Sequence, residues 1–172
     1  MKRPDKIDVQ LDLKLLKLAG TWTPNEAERK AAWELYVELA TRIAAVTLMF
    51  GSLREALSSV YAIFPATRSI LRNYGPSVAE PKPSGGYNFG YLAIGMLNFT
   101  IRPRLSYWHP LLSSWEDVRP PNISVIQHED SWSQNVELRD DLTQMGRELH
   151  HFTQVMAMAC NVPDLTGAIT HS

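Results

Sequence analysis

The sequence predicts a mainly α protein, an up-and-down four-helix bundle with kinked helices and a short extended arm at the N-terminus. Three observations carry this expectation. Capping signals open long amphipathic runs, proline and glycine stand as stops between those runs, and one segment at the start alternates with period two. The chain has 172 residues, which suits one domain over 1–172 that buries enough surface to fold without a disulfide or a metal.

Ile7-Asp8-Val9-Gln10-Leu11-Asp12-Leu13 places apolar residues on one side and polar residues on the other, as a half-buried strand does. The arm is taken as residues 1–20. The other β-like run is Ile123-Ser124-Val125-Ile126-Gln127, so the arm is expected to pair there or with a second chain. Thr23-Pro24-Asn25-Glu26 reads as a capping box with proline at the first helical position, opening a helix to about Leu48 with Ala27, Ala31, Leu35, Leu39 and Ile43 inward. Ser52-Leu53-Arg54-Glu55 opens a second helix, ending at Tyr74 before Gly75-Pro76, with Pro65 kinking or splitting it. Residues 76–88 are Pro/Gly-rich and lack an apolar period, which predicts a mobile loop. A third helix is expected from Phe89 to Trp115, bent at Pro103. A fourth is expected from Ser131 to Asn161, after the Pro120-Pro121 loop and before Pro163, with the last residues frayed.

Composition narrows the functional classes. Seventeen basic against 18 acidic residues give no global field for nucleic acid. No apolar run reaches 18 residues and no basic, apolar leader opens the chain, so a soluble cytoplasmic protein without membrane contact is expected. The single Cys160, in Met156-Ala157-Met158-Ala159-Cys160, reads as a buried core thiol, and Met145, Met156 and Met158 read as core packing.

The chemistry-bearing segment is Leu97 to Pro110, where Asn98, Arg102 and His109 stand among apolar and aromatic residues. At ~100° per residue these three fall within roughly 40° of one another, while Arg104 lies about 140° from His109. An amide, a permanent cation and an imidazole on one stripe can bind a phosphate and move a proton, so Arg102, His109 and Asn98 are the candidate catalytic residues. The structural alternative ties Asn98 and Arg102 to carboxylates or carbonyls on the first or fourth helix, with Trp108 and Trp115 packed beside them. Glu116-Asp117 and Arg139-Asp140-Asp141 are the acidic groups at hand. His150-His151, Glu148 and His128-Glu129 could meet at a metal only across helices, and Gly85-Gly86 lacks the lysine and hydroxyl of a phosphate loop. No metal and no cofactor are expected.

Arg102 and His109, with six residues between them in a helical chain of this size, resemble the Arg-x4–6-His element of HEPN-fold ribonucleases. Arg104 with His109 also fits that spacing, and the polar residue usual after the arginine is here Pro103. The resemblance implies metal-independent RNA cleavage, in bacterial toxins and defence systems. The stretches Thr21-Trp22-Thr23-Pro24, Ala32-Trp33-Glu34-Leu35-Tyr36 and Leu97 to Pro110 are similar to an uncharacterised actinobacterial-type family of small helical proteins, a likeness that implies a helical fold and carries no assigned activity. The functional expectation is a small binding or assembly component of a prokaryotic conflict or regulatory system, with a protein partner or a homodimer. An assembly subunit docking through its N-terminal strand is a third reading, and a ribonuclease acting on RNA through Arg102 and His109 is the enzymatic one.

Overall fold

The computed structural model describes residues 4–46 and 51–166. It is mainly helical with one small sheet. The sheet is a hairpin of β1 (Ile7–Asp12) and β2 (Lys17–Trp22), antiparallel with Ile7 opposite Trp22 and Leu11 opposite Leu18. The expected alternation is present in β1, where Ile7, Val9 and Leu11 are buried and Asp8, Gln10 and Asp12 are exposed.

The partner of β1 differs from the expectation. Ser124 accepts from the Gln127 amide, and the Gln127 side chain accepts from Ser124 N, so Val125–Asp130 is a short helix, not a strand. Pairing instead with the next segment of chain closes a shorter loop, which costs less entropy. Gly20 in β2 also makes room for Tyr87. A Cβ at Gly20 would stand 2.9 Å from the Tyr87 ring, and Tyr87 N donates to Thr21 O at 2.7 Å.

Helix α1 (Glu26–Val46) starts two residues later than the sequence suggests, because Asn25 rather than Thr23 is the cap. Asn25 Oδ1 accepts from Glu28 N at 2.8 Å, and Glu28 Oε2 accepts from Asn25 N at 2.7 Å. The same buried carboxylate takes bonds from Trp22 Nε1 and Phe89 N and pairs with Lys82. The 76–88 segment is therefore anchored through Lys82 and Tyr87. The expected end of the first helix at Leu48, the side chain of Ile43 and the frayed last residues lie outside the described part.

The second predicted helix is two: α2 (Leu53–Tyr61) and α3 (Ile63–Tyr74), followed by a 3-10 turn at Gly75–Val78. The division falls at Ala62, so Pro65 sits in the first turn of α3, where its missing N–H leaves no bond unmade. The third predicted helix begins as α4 (Phe89–Gly95), capped by Asn88, and widens to a π turn at Met96–Ile101 before α5 (Arg102–Glu116). Arg102 N reaches back five residues to Leu97 O, while Pro103 offers no N–H at all.

The short helix at Val125–Asp130 is α6, and α7 is Asn135–Cys160. Asn161 ends α7 in the left-handed region at φ 57°, as its place before Pro163 predicts. The core lies chiefly between α1 and α7, where Leu35, Tyr36 and Leu39 meet a stripe of Leu142, Met145, Leu149, Phe152 and Met156. Of the methionines expected in the core, Met158 is exposed. Cys160 is half-buried at the end of α7, with Sγ donating to Met156 O at 3.0 Å. Among the described residues no helix is long and apolar enough to cross a membrane.

Candidate functional site

One face of α5 stays open. Arg102, Leu105, Ser106, His109 and Pro110 follow helical spacing along it, and Tyr61, Phe64 and Arg68 of α2 and α3 face them across a cavity of about 330 Å³. Pro110 cannot donate to the Ser106 carbonyl one turn back, so that oxygen lacks its helical partner.

The two walls are held together by α6. Glu129, buried, accepts from Leu53 N at 2.9 Å, Arg54 N at 3.4 Å and Ser52 Oγ at 3.3 Å, placing a carboxylate on the positive end of α2. The neighbouring His128 stacks on Trp115 of α5 with ring centroids 4.4 Å apart. Each side chain bonds the other's backbone carbonyl: Trp115 Nε1 donates to His128 O at 2.8 Å and His128 Nε2 donates to Trp115 O at 2.6 Å. The start of α2 is thereby fixed against the end of α5.

This arrangement brings Arg54 onto α5. Its Nε and Nη2 donate to the Glu116 carboxylate at 2.9 and 2.7 Å, a bidentate pair. Its Nη1 donates to His109 Nδ1 at 2.9 Å and its Nη2 also reaches Ser113 Oγ. A guanidinium has no lone pair to offer, so Nδ1 must be the acceptor and the imidazole proton sits on Nε2. Nε2 is itself buried without a hydrogen-bond partner among the described residues, and Tyr61 stands T-shaped to the ring at 6.1 Å. Burial, and then the charge of Arg54, hold the imidazole below its ordinary pKa, against a smaller opposing pull from Glu116. The Arg54 contact needs the Nδ1 lone pair and so favours the uncharged ring.

Arg68 and Arg102 are exposed at the other end of the groove. Their guanidinium carbons lie 5.4 and 4.9 Å from the centroid of the buried Phe64 ring. Arg102 Nε also donates to Asn98 Oδ1 at 3.3 Å. Neither arginine has a carboxylate within ion-pair distance among the described residues.

The three sequence candidates thus share a face, with Arg102 and His109 on the cavity and Asn98 beside Arg102. The expectation that Asn98 and Arg102 reach a carboxylate or carbonyl of the first or fourth helix is corrected: that position belongs to Arg104. Arg104, buried, gives Nη1 and Nη2 to Glu148 at 2.6 and 3.1 Å and Nε to Asp141 at 3.0 Å, all on α7. Its Nη1 also bonds Thr100 O at 3.1 Å, bracing the π turn. Burial disfavours both charges, yet the pairing outweighs it, so the Glu148 carboxyl is held below its ordinary range. Trp108 Nε1 donates to the second Asp141 oxygen at 2.8 Å.

The histidines and acids weighed for a metal go elsewhere. Glu148 serves Arg104, Glu129 caps α2, His128 clasps Trp115, and His150 Nε2 lies 3.6 Å from Asp164. Sequence reasoning did not single out Arg54, Tyr61, Phe64 or Arg68. Phe64 and Arg68 stand one turn apart on α3, but that spacing does not mark which helix they face. Comparisons with family models, with curated proteins and with solved structures give no match to this chain.

Proposed function

We propose that this chain is a small cytoplasmic binding protein, built on an up-and-down four-helix plan, that holds an anionic ligand in the groove between α3 and α5. The observation that supports this reading is the pair Arg68 and Arg102. Both line one cavity of about 330 Å³, and neither has a carboxylate partner among the described residues. Two unneutralised guanidinium groups converging on a concave surface attract an oxyanion, whose oxygens match their planar donor forks. The chain would then serve as a binding or assembly component of a prokaryotic conflict or regulatory system, with a protein partner or a second copy reading the liganded state.

Titrating inorganic phosphate into labelled protein, with amide shifts followed by NMR, tests the binding reading. Saturable shifts at residues 64–68 and 102–106 are expected, and they should vanish in an Arg68→Gln, Arg102→Gln double variant. Identical shifts in the double variant, or none in the parent, would overturn it.

A second reading is a HEPN-like ribonuclease using Arg102, His109 and Asn98, favoured by Arg102 and His109 lining the same cavity. With Nδ1 occupied by Arg54, His109 can give such a reaction a hydrogen bond from Nε2 to the developing oxyanion; proton transfer by the ring, as base or as acid, would require breaking the Arg54 contact. Metal-free cleavage of RNA that disappears in His109→Ala would establish this reading, and activity unchanged in that variant would remove it.

A further inference from the structure

We infer that the ligand of this groove is an amphiphilic oxyanion: a phosphate or carboxylate head on a flat, largely apolar body about 10 Å long. The inference rests on the anion-binding reading above and goes on to say what the rest of the ligand is. The two ends of the groove differ in chemistry. Arg68 and Arg102 stand together at one end, both against Phe64, and Tyr61 stands against His109 at the other. Phe64 and Leu105 lie between the ends, and Pro110 closes the far side.

Residues 102 and 109 are separated by seven helical steps, or about 10 Å of axial rise. A bare inorganic anion would occupy the arginine end and leave the exposed faces of Tyr61 and Pro110 wet. The cavity, at about 330 Å³, lies at the lower edge of the range for small-molecule pockets (about 300–1,000 Å³) and exceeds a single water's share (~30 Å³) by an order of magnitude.

The far end is chemically suited to a neutral ring, not to a second charge. The Arg54 contact favours an uncharged His109 ring, and Arg54 itself is already matched by Glu116. Tyr61 is 56% exposed, a large aromatic face left to solvent at the cavity mouth. Such a face gains from an aromatic or apolar body laid on it. Ser106, between Arg102 and His109 on α5, can orient a single polar substituent through its hydroxyl.

Calorimetric titration of the full chain with four probes tests this: inorganic phosphate, acetate, 2-naphthyl phosphate and 2-naphthylacetate. Each naphthyl compound is compared with its head alone, so the phosphate and carboxylate sources of the oxyanion are separated. At least one naphthyl compound should bind roughly tenfold or more tighter than its head, as expected from covering much of an aromatic ring. Tyr61→Ser should erase that difference, and the Arg68→Gln, Arg102→Gln double variant should weaken the naphthyl compound as well as its head. Tyr61, Arg68 and Arg102 are exposed, so the variants keep the core intact. If the head alone binds and the naphthyl body adds nothing, or if the gain survives Tyr61→Ser, the groove holds a simple anion and the inference fails while the binding reading stands. If no probe binds, both fail.

Discussion

Arg54 donates to His109 Nδ1 at 2.9 Å while its other two nitrogens hold Glu116, so a single guanidinium sets both the charge and the tautomer of the imidazole. The pair is reached from opposite ends of sequence logic: Arg54 is fixed by the cap of α2, His109 by the face of α5. Nitrogen NMR of His109 should therefore report the Nε2–H form at neutral pH. Arg54→Met should raise its pKa, because the cation is gone and Glu116 remains.

The same contact makes a pH prediction. The folded-state pKa of His109 lies below its ordinary value of 6.5, so the unfolded chain takes up that proton first. Its contribution to stability is whole above about pH 6.5 and is lost as pH falls from there through the folded-state value. Glu148 adds a second loss as pH falls below 4.5 and through its own depressed value. Denaturant midpoints measured from pH 8 to pH 2 should fall in these steps, and His109→Gln should flatten the first. An unchanged first step would place the proton uptake elsewhere.

Arg104 and Arg102, two positions apart, should behave oppositely on removal. Arg104→Met strands the buried Glu148 and the half-buried Asp141, a loss of about 3–5 kcal/mol, whereas Arg102→Gln on the open face should stay within about 0.5 kcal/mol. Urea unfolding of both variants checks this. Equal losses would mean that the α7 carboxylates find other partners.

Removing residues 4–13 should lower the thermal midpoint sharply or prevent folding. Ile7, Val9, Leu11 and Leu13 are all buried, each worth about 1.5–3 kcal/mol when fully shielded, and β2 would lose its ladder. A truncated chain with the midpoint of the full one would show that the hairpin adds nothing to the core.

Two helix ends were legible in the sequence, because caps are local: Ser52 opens α2 and Asn161 closes α7, whereas α1 is capped by Asn25, two residues beyond Thr23. The hairpin partner was obscure because Lys17 to Trp22 contains Ala19 and Gly20, poor strand formers retained where Tyr87 packs on the sheet. For the site, helical geometry separated Arg104 from Arg102 and His109. It could not say which side faced inward, since that depends on Asp141 and Glu148, far along the chain. The opposite wall was invisible for the same reason: nothing local in Tyr61, Phe64 or Arg68 announces a neighbour in α5.

The π turn at Met96–Ile101 is a phase shifter. One added residue turns everything beyond it by ~100° relative to α4, so the face that α4 presents to the core is not continued in line by α5. Arg104 meets α7, Arg102 looks across at α3 and His109 at α2 because of that offset. Loss of any one residue from the turn would leave every α5 side chain of the groove in the sequence and point it away from the wall formed by Tyr61, Phe64 and Arg68.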